Sequence, residues 1–386
     1  MENRWKNLQD GSKASKSLGF IVNPIAGMGG SVALKGTDGE LILERALKLG
    51  AKPVSPLRAK QFLKELRAID ASILIYTCAG KMGEDEVKEC GIEPSLVIGK
   101  RKEKTTADDT KLAVSDMKER KVELIAFCGG DGTAKDIMDS IDMSLPVLGI
   151  PAGVKMYSGV FAINPREAAK IAVEFLCGKL RVKEAEVMDI DEEAFRKGHF
   201  RAKLYGYLLT PDEAYSIQQT KVSTFQLEGE EENKLAIAKH IVEEMEKDCL
   251  YIVGPGTTTK AINELLGLKK TLLGVDVILN KKLLAMDTNE EELLKFLKNE
   301  RKAKIILTPI GGQGYVFGRG NQQLSPKVIK RVGKSNIVII ATRQKLATLK
   351  HRRLLTDTGD EKLDDELRGF VRVVTGYREE SVLKIE

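Results

Sequence analysis

Three glycines, a carboxylate and a hydroxyl fall within one short stretch, Phe127-Cys128-Gly129-Gly130-Asp131-Gly132-Thr133. Glycines let the main chain approach a bulky anion and take backbone angles that a Cβ would forbid. A helix starting just after them adds unpaired N–H groups and a partial positive charge, which suit phosphate. A carboxylate repels phosphate oxygens, so Asp131 has two chemical uses there. It can hold a cation such as Mg²⁺, or take a proton from an attacking hydroxyl. A plain N-cap role for Asp131 fits the same residues.

Other glycine-containing turns carry related chemistry. Asn23-Pro24-Ile25-Ala26-Gly27-Met28-Gly29-Gly30 follows a short apolar run, but Val32 stands where a dinucleotide fingerprint needs its third glycine. That disfavours a hydride-transferring dehydrogenase. In Leu148-Gly149-Ile150-Pro151-Ala152-Gly153-Val154-Lys155, Lys155 is the strong cation of that turn, able to neutralise charge on a transferred group or to sit on the surface. Gly254-Pro255-Gly256-Thr257-Thr258-Thr259-Lys260 describes a second anion pocket, or a helix capped by Thr257. Gly80-Lys81 fails the Walker pattern, having no glycine five positions earlier and no Ser or Thr after the lysine. Thr105 with Asp108 fits a helix cap or a nucleotide contact. Asp38 fits either a cap or the site, and Asp276, among apolar residues, needs ribose hydroxyls or an internal partner. Arg319-Gly320-Asn321-Gln322-Gln323 and the turn 308–314 offer donors to an amide, adenine or phosphate, or form a long loop.

Positioning these turns requires strands that end at them. Apolar runs at 18–22, 71–76, 122–126 and 145–150 predict buried strands, with helical spacing at 134–141 and 166–176. This alternation implies a parallel sheet with helices on both faces. Residues 181–190 and 200–209 alternate and predict an antiparallel pair. Strands are expected at 249–253, 272–279, 305–310, 337–340 and 371–374. The charged run 228–232 reads as solvated surface opening a helix to about 247, and 352–359 as a polar, mobile segment. The fold class is α/β. A parallel-sheet domain over 1–160 precedes a mixed α/β to β-rich domain over 161–386.

At 386 residues, two domains are the natural expectation. Hydrophobic content of 42% with 31% charged residues supplies two cores, and a net charge of +6 suits anionic small molecules. No basic stretch carries interleaved aromatics, which argues against nucleic acid. Five cysteines without a C-x-x-C pair, and three histidines far from them, argue against zinc and for reduced thiols in a cytoplasmic protein. Residues 1–17 lack the apolar core of a secretory signal, and no run approaches a membrane span.

Gly129-Gly130-Asp131-Gly132-Thr133, with the turns at 23–30 and 148–155, resembles the signature of NAD kinases, diacylglycerol and sphingosine kinases and, more distantly, phosphofructokinases. The match is nearest to the archaeal and bacterial ATP-NAD kinase-like branch and strongest over about residues 18–165. The resemblance implies phosphorylation of the NAD 2′-hydroxyl, with ATP or polyphosphate as donor and Mg²⁺ present. It implies that Gly129, Gly130, Gly132 and Thr133 cradle phosphate, with Asp131 as proton acceptor or Mg²⁺ contact. Asn23, Gly27, Gly29 and Gly153 would complete that side, joined by Lys155. Gly254, Gly256, Thr257 and Thr258 would meet the nucleotide from the second domain. Homo-oligomers are common in the family. The Asn-Glu or Asn-Asp motif with which NAD kinases grip the acceptor has no counterpart here, which leaves a lipid or sugar kinase, or a nucleotide-binding regulator, as alternatives.

Overall fold

The structure, a computed structural model, describes residues 16–30, 32, 44, 46–141, 143–153, 156–190, 202–212, 227–299, 302–310, 314–349 and 352–386. In the first lobe the described elements are β1 (Ser17–Val22), α1 (Ser55–Ile69), β2 (Leu74–Cys78), α2 (Glu84–Glu89) and β3 (Leu96–Ile98). Then come α3 (Ala107–Glu119), β4 (Leu124–Gly129), α4 (Asp131–Ile141), β5 (Val147–Pro151), α5 (Pro165–Leu176), β6 (Arg181–Ile190) and β7 (Ala202–Asp212). The first five strands form one all-parallel sheet in the order β3-β2-β1-β4-β5.

Both faces of that sheet are covered, which is why β1 and β4 are buried along their whole length. On one face Leu18, Phe20 and Val22 meet Phe62, Leu63 and Leu66 of α1 and the apolar side of α5, with Phe20 stacked on Phe62. On the other, Ile125 and Phe127 meet Val114 and Met117 of α3, Ile137 of α4, and Val187 and Leu208 of the β6–β7 hairpin. Gly19 allows this packing, since a Cβ there would lie 2.6 Å from the Met117 sulfur. The hairpin pairs antiparallel as expected, and Gly206 lets it close on Met138 of α4.

Buried in α2, Glu86 has one carboxylate oxygen with no hydrogen-bond partner, and burial raises its pKa from 4.5 to about 7. Between those values the folded chain holds a proton that the unfolded chain releases, so stability falls as pH rises from about 4.5 to 7. Glu86→Gln should flatten that part of the profile, read as Tm against pH.

The second lobe contains α6 (Leu227–Glu243), β8 (Leu250–Val253), α7 (Thr257–Leu265), β9 (Asp276–Leu279), β10 (Lys282–Ala285), α8 (Glu290–Phe296) and β11 (Ala303–Leu307). It continues with β12 (Tyr315–Phe317), α9 (Pro326–Val332), β13 (Ile337–Ile340), α10 (Arg343–Thr348) and β14 (Arg353–Thr356). It ends with α11 (Glu361–Leu367), β15 (Gly369–Gly376) and β16 (Glu379–Ile385). These strands make a nine-stranded mixed sheet ordered β10-β9-β8-β11-β13-β15-β16-β14-β12. Strands β8, β11, β13 and β15 run parallel, while β9 and β16 reverse direction beside them. Apolar residues of α8, α9 and α11 fill one face, and those of α6 and α7 the other. The lobe is thus a strand-rich, mixed α/β unit, as the alternation predicts.

Several elements differ from expectation. Strand β2 starts at Leu74 because Asp70 accepts from the Ser72 amide and hydroxyl and holds 70–72 as a turn. The helix cap is Thr106 with Asp109, one residue beyond the expected pair, and Asp109 also bonds Lys102. The run 228–232 opens α6 as expected, but the helix ends at Glu243 rather than near 247. Residues 352–359 are not a mobile segment. They include β14, whose Leu354 is fully buried, and Asp357, which pairs with Arg58 of α1 in the other lobe. Strand β9 begins only at Asp276, and 272–275 do not belong to it. Among the described residues no helix is long and apolar enough to cross a membrane.

Candidate active site

Strand order decides where the first lobe can bind a ligand. From β1 the chain moves outward to β2 and β3, whereas from β4 it moves the other way to β5. The carboxyl ends of β1 and β4 therefore flank the point where the order reverses, the usual ligand position in such sheets. The turns 23–30 and 129–133 leave from those two ends.

Hydrogen bonds lock three turns together there. The Asn23 amide side chain donates to Thr133 Oγ1 at 2.9 Å, and the Asn23 N–H donates to the Cys128 carbonyl at 2.9 Å. The Ala152 and Gly153 N–H groups both donate to the Gly129 carbonyl, at 3.1 and 3.2 Å. Gly27, at φ +81°, presses so close that a Cβ would lie 2.0 Å from the Ala152 carbonyl oxygen. Gly27→Ala would add both a left-handed strain and that overlap. Destabilisation of about 1–3 kcal/mol is expected from the strain alone, measured by chemical denaturation. Gly132 is exposed and Gly130 and Gly153 are half-buried, whereas Gly29 and Thr133 are buried. Lys155 and Asp38 lie outside the described residues.

Asp131 is the first residue of α4, not its N-cap. Its carboxylate reaches across to the turn after β5, where Oδ2 accepts from the Tyr157 N–H at 2.8 Å and Oδ1 from the Ser158 N–H at 3.0 Å. A carboxylate offers about four lone-pair sites, so these bonds leave room for a further donor. Burial raises the Asp131 pKa, opposed by the bonds to Ser158 and Tyr157 and by the charge of Arg319. A desolvated carboxylate of this kind is a stronger proton acceptor than a free one. The group is half-buried among the turns rather than sealed in a core.

Arg319 comes from the second lobe. Its guanidinium lies over the Tyr315 ring, 4.2 Å from the centroid, and donates to the Ala162 and Ile163 carbonyls, at 2.8 Å each. The Tyr315 hydroxyl also donates to the Ile163 carbonyl. In the sequence Arg319 stands only within a run of donors. The signal that marks it is its position between Gly318 and Gly320, both at positive φ. Beside it Gln322 meets Gly30, where a Cβ would overlap the Gln322 side chain. Asn321 is committed internally, accepting from the Gly318 N–H and donating to the Val316 carbonyl.

The Gly254–Lys260 turn of the second lobe differs from its expected cap. Gly256, at φ +125°, occupies the N-cap position, and Thr257 is the first helical residue and exposed. Thr259 turns its hydroxyl back to within 2.9 Å of the Gly254 and Gly256 carbonyls, and Thr258 is buried. Asp276 is not offered to a ligand. Its oxygens accept from the Thr271 N–H and hydroxyl and the Asp287 N–H, with Lys270 at 3.2 Å. No described hydrogen bond joins this turn to Asp131. Gly256 closes on Thr308, and Ile310, two residues further on, packs against Gly320 beside Arg319. Residues 311–313 lie outside the described part. Among the described residues no three His, Cys, Asp or Glu side chains form a metal cluster.

Residues 18–180 match the family model of the ATP-NAD kinase N-terminal domain, and residues 246–385 that of the ATP-NAD kinase C-terminal domain. None of the curated proteins compared with the chain matches it. Among solved structures, a diacylglycerol kinase from Bacillus anthracis str. Sterne is similar at 19% identity over 47% of each chain, with a TM-score of 0.24.

Proposed function

The chain belongs to the ATP-NAD kinase family, and from that premise we propose that it transfers the γ-phosphoryl group of ATP to the 2′-hydroxyl of NAD, giving NADP. The observation that carries the reading is Asp131: one desolvated carboxylate at the reversal point of the first sheet, ringed by three glycine turns.

In this reading the ribose hydroxyl donates its proton to a free lone pair of Asp131 as its oxygen attacks the γ-phosphorus, and ADP leaves. The Tyr157 and Ser158 N–H groups hold the carboxylate so that it does not need to reorient during the transfer. Gly130, Gly132 and Gly153 leave room for the phosphates, with N–H groups at the α4 start facing them. Gly27 and Asn23 serve by fixing the turns, Asn23 through Thr133 and Gly27 through its contact with Ala152. Gly129 and Gly29 are backbone supports, and Lys155 would add positive charge beside the transferred group. Gly254, Gly256, Thr257 and Thr258 would hold the nucleotide from the other lobe.

A Mg²⁺ ion fits here only with most of its shell made of phosphate oxygens and water, Asp131 being the one carboxylate among the described residues of these turns and already accepting two amides. When bound, such an ion neutralises charge on the phosphates.

The test is incubation of the full chain with NAD, Mg²⁺ and either ATP or polyphosphate, followed by an enzymatic cycling assay specific for NADP. Donor-dependent NADP formation supports the reading. Consumption of ATP only with another alcohol, or tight nucleotide binding with no turnover, overturns it.

A further inference from the structure

The β6–β7 hairpin holds both elements that meet at Asp131. Its pairing slips between Val187, which faces Gly206, and Met188, which faces Leu204, so Tyr205 is an extra residue on β7. Bulges of this kind re-aim side chains and recur next to active sites. Here the Tyr205 hydroxyl donates to Asp139 Oδ1 of α4 at 2.9 Å, and the Lys135 ammonium group of the same helix lies 4.3 Å from the ring centroid. Asp131 is the first residue of that helix.

The outer edge of β6 grips the turn after β5. The Gly159 N–H donates to the Glu186 carbonyl at 2.7 Å, and the Met188 N–H donates to Ser158 Oγ at 3.0 Å. Ser158 is a polar residue only 1% exposed, and its own N–H donates to Asp131 Oδ1. Its hydroxyl bonds to the Asp131 carboxylate as well. A serine hydroxyl has one proton and two lone pairs, whereas an ionised carboxylate only accepts. With one lone pair taken by Met188, the hydroxyl proton is the group that serves Asp131. Ser158 thus holds the carboxylate twice, once by its main chain and once by a side chain that a neighbouring strand keeps in place.

We propose that the Ser158 hydroxyl, anchored by the outer edge of β6, is a positioning group for the phosphoryl transfer, turning the Asp131 carboxylate so that a lone pair faces the attacking alcohol. The proposal rests on the kinase reading for the role of Asp131. Ser158 is a positioning residue and not a catalytic one, since it is buried and acts through Asp131.

Steady-state kinetics of the full chain with NAD and Mg-ATP test it. Ser158→Ala should lower kcat about tenfold or more, the cost of a misaimed reacting group, while KM for both substrates stays within about twofold. Introduced into Asp131→Asn, the same substitution should change kcat by less than about twofold, because groups that act as a unit are not additive. A merely structural serine would instead slow both backgrounds alike. Should Ser158→Ala not fold, Ser158→Cys, with its weaker donor, should give the same pattern at smaller amplitude. An unchanged kcat in either folded variant, or an equal loss with and without Asp131, overturns the proposal and leaves the kinase reading standing. The expected pattern with another alcohol in place of NAD upholds Ser158 and sinks the NAD reading, and transfer to no acceptor overturns both.

Discussion

Asp131→Asn is expected to slow NADP formation by roughly 10²–10⁴-fold, the usual contribution of a positioned general base. The substitution keeps one acceptor oxygen, so one of the two N–H bonds from Tyr157 and Ser158 survives. Its amide nitrogen instead faces the other donor, and it cannot take up a proton at neutral pH. Nucleotide binding should persist, because Asn23, Thr133 and the glycine turns are untouched. Calorimetry with NAD and ATP beside the cycling assay separates the two effects. The pH profile offers a second reading. A base works only when deprotonated, and burial raises the Asp131 pKa, so the acidic limb of kcat/KM should fall above the ordinary aspartate value of 3.8. Asp131→Asn should abolish that limb. Full activity in the variant would remove Asp131 from the chemistry.

Arg58→Ala should cost the protein about 3–5 kcal/mol, the loss typical when one partner of a buried ion pair is deleted. Arg58 in α1 pairs with Asp357 after β14, and its second nitrogen donates to the Asp357 carbonyl at 3.1 Å. Both side chains are nearly inaccessible, 8% and 4% exposed, so Asp357 would be left charged without water or partner. Chemical denaturation measures the loss. The double variant Arg58→Met with Asp357→Leu should recover most of it, because removing both charges removes the desolvation cost as well. A loss below about 1 kcal/mol would place the pair with ordinary surface salt bridges.

The first lobe was largely readable from its residues because covered parallel strands are continuous apolar runs: 18–22 and 145–150 fall within two residues of β1 and β5, and 122–126 overlaps β4 while ending three residues short of it. The glycine turns marked their ends, and both clusters of the first lobe meet at one reversal point. The second lobe was less readable. Strands β10, β12 and β14 are three or four residues long and carry no alternation that a sequence can reveal. The polar stretch 352–359 looks like a loop until Arg58, 299 positions away, neutralises Asp357. The same blindness to distant partners hid the grip of Arg319 on the first lobe and the meeting of Lys345 with Thr308, whereas the internal partner of Asp276 was one of its two expected fates. Short-range chemistry was visible; pairing across the chain was not.

The carbonyls of Ala162 and Ile163 are seized from the second lobe by Tyr315 and Arg319, four and five residues beyond the Ser158 amide that steadies the acid group. A swing of one half of the molecule against the other would pull on that short tether. Any displacement of the lobes against each other would thereby be passed on to the amides that hold the Asp131 carboxylate.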